Sequence, residues 1–222
     1  MAMLELTASD GHRLGAYQAA PEASPRGGIV VIQEIFGVNS HIRSICDRLA
    51  AEGYLAVAPA IFDRYQRDFE TGYSPEEVEQ AKTLLPGFQM DKCLLDVAAA
   101  QESVAEAGKT GLVGFCLGGS VAYAAAAQMQ GFSAASCFYG GMINKFAARE
   151  PHCPVQFHYG ADDASIPAEN YNAVREARPE AEFYVYENAG HGFNCDQRGS
   201  YAPEAAAIAW QRMLEFFGRN LA

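Results

Sequence analysis

The chain has 222 residues, of which 50% are hydrophobic, enough for one sizeable core. Its formal charge of −11, with no basic stripe, argues against nucleic acid as a partner. The longest apolar runs are too short to span a membrane, and the first residues lack the basic start and apolar core of a signal peptide. We therefore expect a cytoplasmic protein with no membrane partner, whose six cysteines lack paired metal-type spacing and are reduced.

The first half of the chain predicts an N-terminal hairpin and then alternating strands and helices. The hairpin pairs residues 4–8 with residues 14–19 around Asp10-Gly11, a strong turn signal. Residues 61–72 are irregular, aromatic and charged, and are expected to form a loop that borders the functional site. The other elements predicted in this half are strands at 28–33 and 54–58 and helices at 40–52, from Pro75 onward and at about 91–106.

The second half continues the alternation. Its predicted elements are strands at 110–114, 133–139, 154–160 and 182–187 and helices from 118 to 130, at 168–177 and at 203–217. Strands that alternate with helices predict a mostly parallel sheet covered on both faces, that is, a three-layer α/β fold. No linker or shift in composition divides the chain, so residues 1–222 are expected to form a single domain.

A candidate nucleophile motif lies at Gly114-Phe115-Cys116-Leu117-Gly118, which has the Gly-x-nucleophile-x-Gly spacing of a nucleophile elbow with cysteine in the central position. A predicted strand precedes the motif and a helix of small residues follows it, as this motif requires. The glycines permit close backbone approach at a strained turn, and the helix N-terminus directs N–H groups at the thiol. From these residues alone, a glycine-rich turn with a buried structural cysteine remains the alternative interpretation.

A hydrolase with this elbow carries an acid and then a histidine downstream of the nucleophile. Asp163 and His191 each follow a predicted strand, at the strand ends where open parallel sheets place their chemistry. Of the five histidines, only His191 is flanked by glycines directly after a strand. Asp162 competes with Asp163 for the role of the acid, and the residues alone do not decide between them, although Asp is also common as a turn residue.

Four motifs together resemble the dienelactone hydrolase (carboxymethylenebutenolidase) family: Gln33-Glu34-Ile35-Phe36-Gly37, Gly114-Phe115-Cys116-Leu117-Gly118-Gly119, Asp163 four residues before Pro167, and Ala189-Gly190-His191-Gly192-Phe193. The resemblance runs through nearly the whole chain. It implies an α/β-hydrolase fold with an N-terminal hairpin and no large cap. It also implies hydrolysis of esters or lactones by a triad of Cys116, His191 and Asp163, which selects Asp163 over Asp162.

The resemblance also gives a role to Glu34, which is otherwise readable as a surface or helix-capping carboxylate. Its place in the first motif implies contact with the Cys116 thiol and help in forming the thiolate, the reactive form of cysteine. We expect Glu34 to keep the resting thiol protonated until substrate arrives, so that the free enzyme reacts slowly with iodoacetamide; a preformed Cys–His ion pair is the alternative. The backbone amides of Leu117 and Ile35 are expected to form the oxyanion hole. No metal or organic cofactor is implied.

Substrate preference is the least determined feature. Phe36, Tyr139 and Phe193 flank the catalytic loops and are expected to wall the pocket, although aromatic residues also serve as ordinary core. The two arginines that hold the substrate carboxylate in the family's namesake enzyme align with Val78 and Cys195. We therefore expect a preference for a neutral ester or lactone. The cations that remain as candidate anion ligands are Arg64, Lys82 and Arg198.

The sequence thus predicts a carboxylic ester or lactone hydrolase that acts on a small molecule through an acyl-cysteine intermediate. The alternatives are a non-catalytic ligand-binding protein on the same scaffold and a cysteine peptidase, because fold alone does not fix function. A thiol-based redox role is disfavoured because the chain contains no Cys-x-x-Cys motif. Monomer and small homo-oligomer both remain open.

Overall fold

The computed structural model describes residues 2–222 and begins with the predicted antiparallel hairpin, formed by β1 (Ala2–Thr7) and β2 (Arg13–Ala19). Gly11 at the turn has a φ of 85°, a conformation that favours glycine. β2 alternates between the two sides of the sheet and buries most of its length, so the hairpin is an integral edge of the fold. Leu14 and Ala16 are fully buried in the common core.

Six parallel strands follow the hairpin. They are β3 (Gly28–Ile32), β4 (Leu55–Pro59), β5 (Thr110–Phe115), β6 (Phe132–Phe138), β7 (Val155–Gly160) and β8 (Glu182–Tyr186). The order across the sheet is β1-β2-β4-β3-β5-β6-β7-β8, with β2 antiparallel to β4 and all later pairs parallel. Every residue of β3, β5 and β7 is buried, which explains their continuous apolar sequence.

Six α-helices complete the domain: α1 (Ser40–Ala51), α2 (Pro75–Lys82), α3 (Met90–Val104), α4 (Leu117–Gln128), α5 (Ala168–Ala177) and α6 (Pro203–Asn220). α1 and α6 lie against each other, with the Arg48 guanidinium 3.6 Å from the centre of the Trp210 ring. α3 packs against α4. Because the chain reverses its direction across the sheet after β4, right-handed crossovers put α1 and α3 on opposite faces. The result is the predicted three-layer α/β architecture.

Local sequence signals account for the helix starts. Ser74 and Glu77 form a reciprocal capping box at α2, and Asn39 caps α1 through its side chain. Most element bounds agree with the sequence predictions to within two residues, and two features differ further. The segment at 61–72 contains one short 3-10 helix, Ile61–Arg64, and α6 continues three residues beyond the predicted end at 217. Within residues 2–222, no helix has both the length and the apolar character needed to cross a membrane.

The parallel sheet determines where the functional loops meet. Glu34 follows β3, Cys116 follows β5, Asp163 follows β7 and His191 follows β8, so all four lie at the carboxyl edge. The loop after β3 is fixed by Gly37, which has a φ of 79° and whose added Cβ would lie 2.0 Å from the Phe69 carbonyl oxygen. This contact brings the 61–72 segment alongside the loop, as the sequence predicted.

Candidate active site

Cys116 occupies a sharp turn between β5 and α4. Its φ of 56° and ψ of −114° are strained for a residue with a side chain. The turn requires glycine on either side, because a Cβ at Gly114 would lie 1.9 Å from the Gly118 carbonyl oxygen and one at Gly118 would lie 2.3 Å from the carbonyl oxygen of Ile32. The local sequence therefore forces the thiol out of the sheet edge, where it is partly exposed.

The Cys116 thiol meets the two downstream residues of the proposed triad. Its Sγ lies 3.0 Å from Nε2 of His191, and Nδ1 of His191 lies 2.7 Å from Oδ2 of Asp163. Oδ1 of Asp163 accepts the backbone N–H groups of Ser165 at 2.8 Å and Ile166 at 3.1 Å. These two bonds fix the carboxylate, so that only Oδ2 is directed at the imidazole.

Asp162 is placed differently from its neighbour. Its side chain is exposed, and its backbone amide donates to the Ala189 carbonyl oxygen at 3.0 Å. The side chain of Asp163 is buried, with none of its surface accessible. The structure therefore brings Asp163, and not Asp162, to His191, and it gives Asp162 a role in connecting the loops after β7 and β8.

The electrostatic surroundings of His191 favour its charged form. Burial alone would lower the pKa of this imidazole, but the Cys116 charge and the hydrogen bonds to Asp163 and Cys116 outweigh burial and raise the pKa to about 10. An imidazolium hydrogen-bonded to the sulfur stabilises a thiolate. The 3.0 Å contact between Nε2 and Sγ favours the Cys–His ion pair, so the expectation of a resting thiol that Glu34 keeps protonated is corrected.

Two backbone amides near the thiol are free to bind an oxyanion. Leu117 is the first residue of α4, so its N–H has no partner within the helix. Within the described residues, neither this amide nor that of Ile35 donates to a protein acceptor. Both follow strand ends at the same edge of the sheet as Cys116. The expected oxyanion donors are thus both available.

Glu34 is almost completely buried, and its partners differ from those expected. Oε1 accepts Nη1 of Arg198 at 3.0 Å, and Oε2 accepts the Tyr73 hydroxyl at 3.3 Å. Burial and the Glu34 charge both raise the pKa of Tyr73, which keeps this hydroxyl a neutral donor. The expectation that Glu34 contacts the thiol is therefore corrected: within the described residues, the hydrogen-bond partner of Cys116 is His191, because Arg198 and Tyr73 hold the carboxylate.

Of the three cations left open by the sequence, Arg198 is the one that reaches the site. Its guanidinium carbon also lies 5.5 Å from the centre of the Phe36 ring and 5.6 Å from that of Tyr73. Arg64 is bound instead by Asp10 and Asp96, and Lys82 pairs with Glu79 on the exposed side of α2. Sequence reasoning missed the ion pair because its members are 164 positions apart.

The three aromatic residues expected to wall the pocket are buried beneath the site. Tyr139 and Phe193 have 0% exposure and Phe36 has 2%, so they offer no surface to a substrate in this conformation, and the expectation is corrected. Tyr139 lies edge-on to the imidazole of His191, with ring centres 5.2 Å apart, and packs against Phe193. Phe36 packs against Tyr73 at 4.6 Å. These side chains therefore support the catalytic loops from below.

His41 and Cys195 lie close to Glu34, and the sequence analysis did not connect either residue with it. One carboxylate oxygen of Glu34, one ring nitrogen of His41 and Sγ of Cys195 lie within 4.8 Å of one another. Burial lowers the pKa of His41, whereas burial and the Glu34 charge raise the pKa of Cys195 to about 11. Nothing in the local sequence signals this cluster, because His41 begins a helix and Cys195 lies in an irregular loop.

Comparison with known proteins identifies the family of the chain. A sequence profile of the Dienelactone hydrolase family matches residues 14–221. The carboxymethylenebutenolidase of Pseudomonas putida is 34% identical over 226 residues, covering 96% of this chain and 94% of that protein. A Synechocystis protein provisionally named carboxymethylenebutenolidase is 37% identical over 229 residues, and the match covers 94% of this chain and 93% of the Synechocystis protein.

Solved structures place the chain in the same group. A Klebsiella pneumoniae protein provisionally named dienelactone hydrolase superposes with a TM-score of 0.86 at 34% sequence identity, covering 99% of this chain and all of that one. The esterase Pf2001 of Pyrococcus furiosus shares the fold alone, with a TM-score of 0.73 at 16% identity over 100% of this chain and 93% of that one. The chain therefore belongs to the dienelactone hydrolase family and is an ester or lactone hydrolase.

Proposed function

We propose that this enzyme hydrolyses a carboxylic ester or lactone through an acyl-cysteine intermediate, with Cys116 as the nucleophile. The observation that carries the proposal is the continuous contact from Sγ of Cys116 through the His191 imidazole to Asp163, with distances of 3.0 and 2.7 Å. Both distances are within hydrogen-bond reach for a nucleophile, a base and an orienting acid. The exposed side of the thiol is where the substrate carbonyl approaches.

In the first half of the reaction, the Cys116 thiolate attacks the carbonyl carbon, and the carbonyl oxygen becomes an oxyanion. The free N–H groups of Leu117 and Ile35 donate hydrogen bonds to this oxygen, assisted by the positive end of α4. The His191 imidazolium then donates its Nε2 proton to the departing alkoxide or enolate as the carbon–oxygen bond breaks. The products are an alcohol and an acyl thioester on Cys116.

In the second half, neutral His191 takes a proton from water, and the hydroxide attacks the thioester at the same oxyanion site. Asp163 keeps the imidazole in the tautomer with hydrogen on Nδ1 throughout, because its other oxygen is held by two amides. Collapse of the second tetrahedral intermediate releases the acid and restores the Cys116 thiolate and imidazolium. No metal or organic cofactor takes part in this scheme.

Glu34 and Arg198 have an electrostatic role in this scheme. The pair is nearly neutral as a whole, so it leaves the thiolate paired with His191 alone. An anionic substrate that drew Arg198 away would leave Glu34 as an uncompensated buried carboxylate, which is costly. Loss of Glu34 would free Arg198 to pair with the thiolate and lower its nucleophilicity. Glu34 is therefore necessary for full activity, because it keeps Arg198 away from the thiolate.

The proposed substrate is neutral. An anionic substrate such as dienelactone competes with Glu34 for Arg198, whereas a neutral ester does not. Val78 and Cys195 stand where the family's namesake enzyme carries its arginines. Measuring kcat/KM for dienelactone and for neutral esters and lactones on one preparation tests this preference. Dienelactone as the clearly better substrate, with activity that collapses in Arg198→Ala, would refute it.

Turnover of a simple chromogenic ester tests the reaction itself. Cys116→Ala should abolish it, while Cys153→Ala, a matched change of a cysteine with 9% exposure, should leave it intact. A non-catalytic binding protein would turn over neither ester nor lactone in any form. A peptidase would also hydrolyse an amide of the same acyl group, which the proposed ester hydrolase would leave intact. Activity that survives in folded Cys116→Ala would contradict the proposal.

A further inference from the structure

The buried polar cluster behind the nucleophile has the composition of a transition-metal site. Glu34, His41 and Cys195 supply carboxylate, imidazole and thiol, and their exposures are 1%, 2% and 0%. Their potential ligand atoms all lie within 4.8 Å of one another. The cluster joins the loop after β3 and the start of α1 to the loop after His191, which lies more than 150 positions further along the chain.

His41 provides an independent indication that the cluster lacks a partner. Its Nδ1 faces Oδ1 of Asp196 at 3.5 Å, whereas its Nε2 is buried and has no hydrogen-bond partner among the described residues. A buried polar atom without a partner is costly. A carboxylate at one ring nitrogen with the other nitrogen free is the arrangement in which histidine usually ligates a metal, because the carboxylate fixes the ring and increases its basicity.

We propose that Glu34, His41 and Cys195 form a binding site for Zn²⁺, with Asp196 orienting His41. A thiolate and an imidazole favour zinc over magnesium or calcium, which prefer oxygen ligands. Metal–ligand bonds of about 2.0–2.3 Å in a tetrahedral site put ligand atoms about 3.3–3.8 Å apart. Closure of the cluster from its 4.8 Å limit therefore requires side-chain movements of about 1 Å.

The local charges permit this ligation. A carboxylate has about four acceptor positions, so Glu34 can bind the ion and still accept Arg198 at Oε1. Deprotonated Cys195 and Glu34 together neutralise the two positive charges of the ion. Three protein ligands leave a fourth position for water, as in open zinc sites.

Zinc at this site would inhibit the enzyme, a consequence that rests on the function proposed above for Glu34. The ion would draw negative charge from the Glu34 carboxylate, so the Arg198 guanidinium would be less neutralised and would compete with His191 for the Cys116 thiolate. The site is therefore inhibitory and is separate from the catalytic contact between Cys116 and His191. A zinc ion bound directly to that catalytic pair is the competing explanation for any inhibition, and the experiment must exclude it.

The first arm of the test measures metal binding without turnover. It uses the Cys116→Ala protein, in which the catalytic thiol is absent and cannot bind the metal. Titration with Co²⁺ should give a saturating thiolate-to-cobalt absorption band in the near ultraviolet at one equivalent, and Zn²⁺ should displace it. The band should disappear when Cys195→Ser is added. It should persist in the matched control that adds Cys153→Ser.

Two further variants keep the test decisive if the Cys195 variant is unstable. His41→Phe should weaken cobalt binding at least 100-fold by removing a ligand, and Asp196→Asn should weaken it about 10- to 100-fold by releasing the ring. Thermal unfolding checks that each protein is folded. The proposal is overturned by the absence of saturable binding up to about 1 mM cobalt, or by a band that persists in both variants or in the Cys195→Ser protein.

The second arm measures ester hydrolysis by the unmodified catalytic residues, with each variant compared with its own rate in EDTA. Zn²⁺ should inhibit the wild-type enzyme reversibly, and His41→Phe should raise the inhibitory concentration at least 100-fold. Equal inhibition of both proteins would overturn the inhibitory role and assign it to Cys116 and His191. Failure of the proposed function is distinguishable from failure of the zinc site. If the proposed function were wrong, Cys116→Ala would still hydrolyse the ester, while its cobalt band would be unchanged.

Discussion

Asparagine at position 163 would reverse the hydrogen bonding of the catalytic imidazole. In the native protein, Oδ1 of Asp163 accepts two amides and Oδ2 accepts His191 Nδ1–H. In Asp163→Asn, the amide oxygen keeps the two backbone bonds, so the NH₂ group must point at His191. Two donors cannot share that contact. The imidazole therefore loses its Nδ1 proton and carries hydrogen on Nε2, where it can no longer accept a proton from the thiol or from water.

The size of the effect follows from this tautomer change. An asparagine that enforces the wrong tautomer in a Ser-His-Asp hydrolase lowers kcat about 10⁴-fold. A factor of 10⁴ corresponds to about 5 kcal/mol of transition-state stabilisation. Folding should change little, because asparagine has the size of aspartate and keeps the bonds to Ser165 and Ile166. Removal of the negative charge should also lower the pKa of His191 from its present value of about 10.

Hydrolysis of a p-nitrophenyl ester by wild type, Asp163→Asn and the matched control Asp162→Asn measures the effect. The control should retain kcat within about threefold, because exposed surface changes rarely disturb a site. Thermal unfolding of each variant separates lost catalysis from lost structure. A loss of less than tenfold in folded Asp163→Asn, or greater damage in Asp162→Asn, would refute the assignment of the acid.

Three further results are expected. Iodoacetamide at pH 7 should alkylate Cys116 at least 100-fold faster than any other cysteine, because the His191 imidazolium stabilises the thiolate, and His191→Ala should slow this reaction. Mass spectrometry measures the labelling, and slow labelling of the wild-type protein would instead indicate a protonated thiol. Burial, and secondarily Arg212, lowers the pKa of His158 from 6.5 to about 3. Between these two pH values the unfolded state binds more protons than the folded state. The free energy of unfolding should therefore fall by about 1.4 kcal/mol for each unit by which the pH is lowered from 6.5 to about 3. Urea unfolding of His158→Gln at pH 7 and pH 5 should show a shallower loss than wild type, and equal slopes would contradict this. Glu34→Gln should lower kcat for a neutral ester at least tenfold while the protein remains folded, and an unchanged kcat would remove Glu34 from the mechanism.

Much of the fold follows from local sequence. The apolar runs of β3 and β5 are buried on both faces, so their strand character is visible without alternation. The Ser74–Glu77 capping box defines the start of α2 directly. The end of α6 lies three residues beyond the predicted end at 217, because the helix continues through Gly218 to Asn220 and tertiary packing outweighs the small cost of one glycine.

Some features of the candidate site follow from the sequence and others do not. The positions of Cys116, Asp163 and His191 after parallel strands place them at one edge of the sheet, so their proximity follows from topology. The direction of a side chain does not follow from topology. Asp163 points inward because two backbone amides bind its carboxylate, and Arg198 pairs with Glu34 although the two residues are 164 positions apart. Neither contact can be recognised from the local sequence. The burial of Tyr139 likewise depends on the three-dimensional packing behind His191.

The central claim is that the acyl group is carried by Cys116. Rapid mixing with p-nitrophenyl acetate, acid quenching and peptide mass spectrometry tests it directly. We predict a burst of one p-nitrophenolate per active site and one acetyl group on the peptide that contains Cys116, removed at the rate of steady-state turnover. An acetyl group on another residue, or turnover with no labelled Cys116 at any time, would contradict the account.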